Sequence, residues 1–80
     1  METNKERKWM TTEKVVATVM MATGVEHEFR LHLGGCLWMT LWMEYDTQRG
    51  LIGVSDNWRD YELCTPKELL AAYPDRCWES

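Results

Sequence analysis

Proline is scarce in this chain of 80 residues, and its two copies, Pro66 and Pro74, both fall late. Nothing before residue 66 is therefore barred from helix or strand by a missing amide hydrogen. The three cysteines, Cys36, Cys64 and Cys77, are odd in number and show no C-x-x-C spacing. They spell neither a disulfide framework nor a zinc motif, and read as reduced thiols. No charged-then-apolar leader opens the chain. The longest apolar run, residues 34–43, is about half of what a bilayer-spanning helix needs. A cytoplasmic protein with no membrane contact is expected.

Basic charge is also in short supply. Nine Lys and Arg face thirteen Asp and Glu, for a net charge of −4. Residues 1–14 set Lys5, Arg7, Lys8 and Lys14 against Glu2, Glu6 and Glu13, a local +1 that leaves the remainder at −5. A body of that sign disfavours phosphate backbones and favours basic protein surfaces. Thr12 to Gly24 has the look of the first helix of a helix-turn-helix, but no basic recognition helix follows. A small nucleic-acid-associated regulator remains only an alternative, and no direct nucleic-acid contact is expected.

Five Trp and six Met supply the core area that so short a chain otherwise lacks. One domain is expected over residues 11–80, preceded by a flexible arm at 1–10 whose one large apolar group is Trp9. Residues 13–22 fit either period. Val15, Val16, Val19 and Met20 make a helical stripe, whereas Val15, Ala17, Val19 and Met21 make one strand face. The β-branched cluster at 15–19 tips the reading towards a strand.

Val25, Phe29, Leu31 and Leu33 alternate with Glu26, Glu28, Arg30 and His32, which is the pattern of a half-buried antiparallel strand. Gly34-Gly35 turns it back into a strand running to about Tyr45. Residues 46–50 turn again into a short strand at 51–55, and a fourth strand is expected within 58–63. Thr65-Pro66-Lys67-Glu68 is a capping box that opens a two-turn helix, stopped by Pro74. The fold class is α+β: a small antiparallel meander of three to four strands with one short C-terminal helix on one face. Residues 75–80 are read as a tail.

The strand after the glycines is apolar on both faces, with Leu37, Met39, Leu41 and Met43 on one and Trp38 and Trp42 on the other. A two-residue turn would pair Leu31 with Trp38. A three-residue loop would pair Leu31 with Leu37 and Phe29 with Met39, and set Trp38 beside Arg30 and Trp42 beside Glu26. The second arrangement separates aliphatic from charged side chains and is the one expected.

No cofactor, metal or catalytic signature stands out. His27, Glu28 and His32 are spaced HExxxH, not HExxH, and on a strand the two imidazoles point to opposite sides. His32 near Cys36 is the only hint of a thiol–imidazole pair, and it has no third group to orient it. The expected role is therefore non-enzymatic binding of a larger protein with a basic or apolar site. Trp38, Trp42, Arg30 and Glu28 would be the central contacts. Glu44, Asp46, Asp56, Asp60 and Glu62 would be the steering charges. Small inhibitors made by phages and mobile elements, anti-CRISPR proteins among them, share this profile, a likeness of type and not of motif. A homodimer meeting through the tryptophan face is the other alternative.

Overall fold

A computed structural model describes residues 9–74 and 76–79. Of the arm expected at 1–10, residues 1–8 lie outside the described residues, while Trp9–Met10 form strand β1. The remaining elements are α1 (Thr12–Met21), β2 (His27–Gly34), β3 (Leu37–Asp46), β4 (Leu51–Ser55), β5 (Glu62–Cys64), α2 (Pro66–Ala72) and β6 (Trp78–Glu79). They build one antiparallel sheet in the order β1-β6-β2-β3-β4-β5.

The expected meander is present as β2-β3-β4-β5, and the capping box at its end is complete. The Thr65 hydroxyl accepts from the Glu68 amide at 3.0 Å, and the Glu68 carboxylate accepts from the Thr65 amide at 2.8 Å. Among the described residues the sheet nevertheless has six strands where three to four were expected, and there are two helices where one was. β1 and β6, two residues each, extend it beyond β2. Segments that short carry no periodicity, so the 75–80 tail hid a strand.

The reading of residues 13–22 as a strand is also corrected. Thr11 caps a helix by accepting from the Lys14 amide at 3.2 Å. Thr12, Val15, Val16 and Val19 then form its buried stripe. β-branched residues cost a helix only tenths of a kcal/mol each, roughly, and burying one valine returns about 1.5 kcal/mol or more. Packing therefore outweighs propensity here.

The core lies between the helices and one face of the sheet. Val15, Val16 and Val19 of α1 and Leu69 of α2 meet Phe29, Leu31, Leu41, Met43, Ile52 and Trp78. Trp78 is fully buried and meets Phe29 and Tyr73 edge-on at 6.3 and 5.4 Å between ring centres. Its indole N–H donates to the Thr12 hydroxyl at 2.9 Å, and that hydroxyl donates to the Tyr73 carbonyl at 2.5 Å. One threonine thus joins the last strand, the first helix and the end of the second.

Neither expected register of the glycine hairpin occurs. Leu31 pairs with Met39 and Phe29 with Leu41, two residues from the favoured arrangement. Gly34 and Gly35 take φ of 120° and 58°, and a register shift between His32 and Gly34 absorbs the extra residue. Because side chains alternate every two residues, this slip leaves each on its expected face. Trp38 stands opposite His32 instead of Arg30, Trp42 opposite Glu28 instead of Glu26, and Thr40 opposite Arg30.

Candidate functional site: the sheet face opposite the helices

Strand alternation puts Trp38, Trp42, Arg30, His32, Glu28, Glu44 and Glu79 on the sheet face opposite the buried aliphatic row. Trp38 and Trp42 are both half-buried. The Arg30 guanidinium carbon lies 4.9 Å from the centre of the Trp38 ring. Arg30 also pairs with Glu79 at 3.5 Å. His32 tilts against Trp38 at 4.7 Å between centres, and its Nε2 lies 2.9 Å from the Gly35 carbonyl oxygen. Trp9 reaches in from β1 to stack on Trp38 at 5.8 Å, with the planes 28° apart. The three rings of Trp9, His32 and Trp38 and the Arg30 guanidinium hold one another in place at this end.

The far end of the face is organised by the β4–β5 loop, which the sequence reading missed. Asn57 is its hub: its side-chain carbonyl accepts from the amides of Arg59 and Asp60 at 2.8 and 2.9 Å and from the Ser55 hydroxyl at 3.0 Å. This geometry holds Trp58 at φ 66°, a left-handed conformation that a bulky side chain rarely adopts. The Trp58 indole N–H donates to Glu26 Oε1 at 2.9 Å, and the Tyr61 hydroxyl donates to Glu26 Oε2. Those two donors hold the Glu26 carboxyl below its usual range. In return, the carboxylate pushes the Tyr61 phenol up to about 12. All three groups are exposed, and Glu26 lies 32 and 35 positions before its two donors, so no spacing announced them; the sole local signal was Asn57 in a turn.

The steering charges do not form one patch. Glu44 is exposed on the face opposite the helices, opposite Gly53 in the register. Asp46 is taken up by the turn that follows, accepting from the amides of Gln48 and Arg49 and pairing with Arg49 at 3.6 Å. Asp56, Asp60 and Glu62 line a separate hollow over Met39, Leu41 and Val54, beside Tyr73. Glu62 faces the helix side because it pairs with Val54. Glu44 and Asp46 therefore stand apart from the other three: Asp56 and Asp60 of the β4–β5 loop and Glu62 of β5 lie round on the helix side. Asp60 is further committed to the Asn57 side-chain amide at 3.1 Å.

No protein-family model, curated protein or solved structure matches this chain. The chemistry must be read from the residues. Among the described residues, no three His, Cys, Asp or Glu side chains converge as metal ligands. His27 lies on the helix side, stacked on Phe29 at 6.0 Å with Nε2 buried and unpartnered. His32 is on the opposite side, so the pair cannot share an ion. No described helix is long and apolar enough to cross a membrane.

Proposed function

We propose that this chain is a small, non-enzymatic protein-binding module that works in the cytoplasm and occludes a basic site on a larger partner. The sheet face opposite the helices is the contact surface. The observation that carries this reading is the pair of indoles, Trp38 and Trp42, set outside the aliphatic core and ordered beside Arg30 and Glu28. Aromatic and arginine side chains at the centre of a polar rim are the residues that dominate binding energy in protein interfaces.

Charge selects the kind of partner. Arg30 is the one Lys or Arg in any described strand, whereas Glu28, Glu44, Asp46 and Glu79 are carboxylates on this face, with Glu62 on the other. A basic surface is drawn to such a face, and a second copy of this chain brings the same negative sign and is repelled. Inhibitors of the phage and mobile-element type act in this way, by covering a site without chemistry.

The test is capture of host proteins by wild type and by a Trp38→Ala/Trp42→Ala variant, followed by titration with the purified partner. The reading expects at least tenfold weaker binding by the variant, and wild-type affinity that falls as salt rises. A partner bound equally well by both proteins, with both still folded, would remove the face from consideration.

A further inference from the structure

The pocket beside Tyr61 gives the partner's chemistry more detail. Resting on the protein-binding reading above, we infer that it receives one basic side chain, an arginine or a lysine, from the partner. The hollow has a volume of about 440 Å³, and its lining includes Gly24, Glu44, Asp46, Gly53, Tyr61 and Leu63. It lies on the same sheet face as Trp42, on the row that crosses β3, β4 and β5 at Glu44, Gly53 and Leu63.

Each wall has a physical role. Gly53 lets the Tyr61 ring lie close against β4, because a Cβ there would stand 3.3 Å from Tyr61 Cδ2. The ring is tethered at its other end by the hydroxyl's bond to Glu26. That tether gives the ring a fixed π face. Tyr61 and Leu63 are exposed apolar surface suited to the methylene stem of a long cationic side chain.

Charge decides the occupant. Asp46, in the same lining, is already paired with Arg49 and bonded to two amides. Glu44 is exposed, and no ion pair or hydrogen bond engages it among the described residues. A single unpaired carboxylate beside a fixed aromatic face is what holds an ammonium or guanidinium group, through one charge-assisted contact and one cation–π contact. A phosphate or carboxylate ligand would meet Glu44 as a like charge. A neutral aliphatic group would strip water from Glu44 without replacing it.

The test needs no knowledge of the partner. N-acetyl-arginine amide, its lysine counterpart and the uncharged citrulline counterpart are titrated into the full chain and followed by backbone amide and indole NMR shifts. Saturable shifts centred on Glu44, Gly53 and Tyr61 are expected from the two cations, with none from citrulline. Glu44→Gln should weaken the arginine probe about tenfold, the change for one lost charge-assisted contact. Tyr61→Ala, if it melts like wild type, should abolish the shifts. Equal response to citrulline, shifts centred elsewhere, or an undiminished response in Glu44→Gln would overturn the pocket assignment. That outcome would leave the test of Trp38 and Trp42 untouched, and loss of partner binding in the double variant would equally leave this titration standing.

Discussion

Thr12→Val is the sharpest probe of how the two ends of this chain are joined. The substitution keeps the shape of the side chain and removes only the hydroxyl. In the wild type that hydroxyl accepts from Trp78 Nε1 at 2.9 Å and donates to the Tyr73 carbonyl at 2.5 Å, at a site only 5% exposed. Valine leaves the indole N–H buried with no partner, at a cost of about 1–3 kcal/mol. The Tyr73 carbonyl adds roughly 0.5 kcal/mol, since it is partly exposed and retains access to water. The sum is about 1.5–3.5 kcal/mol, against a total stability of roughly 4–12 kcal/mol for a domain of this size. For so small a domain each kcal/mol moves the midpoint by about 4–8 °C, so Tm should fall by roughly 6–28 °C. Thr12→Ser keeps both hydrogen bonds and loses one methyl, about 1 kcal/mol. Thermal melts followed by circular dichroism, with urea titrations to confirm an unchanged slope, measure both. If Thr12→Val melted no lower than Thr12→Ser, the hydroxyl would not be the joint between α1, α2 and β6.

Trp38→Ala should cost about 1–2 kcal/mol through its lost stacking and cation–π contacts, and Leu41→Ala about 2–5 kcal/mol; urea midpoints that reverse this order would place Trp38 in the core. Glu26→Gln should return the Tyr61 phenol from about 12 towards its ordinary 10, seen as earlier phenolate absorbance in an alkaline titration. Because the folded phenol is raised, its contribution is complete below pH 10 and is lost as pH climbs towards 12. Glu26 runs the other way: its carboxyl is lowered, so its contribution is complete above pH 4.5 and is lost as pH falls further. Thiol labelling of the native protein should find Cys36 and Cys77 fast, being exposed, and Cys64 slow, since burial pushes its thiol up; a fast-reacting Cys64 would contradict its packing beside Ile52 of β4.

Much of this architecture was legible from local chemistry. Alternation placed β2, β3 and β4 within a residue or two of their ends, and the Thr65–Glu68 box announced α2. The same alternation separated Trp38 and Trp42 from Leu41 and Met43. That separation survived a wrong register, because a slip of two residues preserves faces and changes only neighbours. The bulge near Gly34 that chose among such slips depends on positive backbone angles that two adjacent glycines permit but do not specify.

Local patterning thus settled which side chains share a face, where the turns fall, and the negative sign of the surface. Tertiary structure decided the rest. Val15, Val16 and Val19 became helical because a sheet stood ready to bury their stripe. Trp78 became a strand residue because the open edge of β2 offered it hydrogen bonds and a place between Phe29 and Tyr73. Glu26 met Trp58 and Tyr61, 32 and 35 positions further on, because the strand order brings the start of β2 close to the β4–β5 loop. Contacts of that range depend on how strands are ordered, and strand order is a property of the packed sheet that no window of the chain contains.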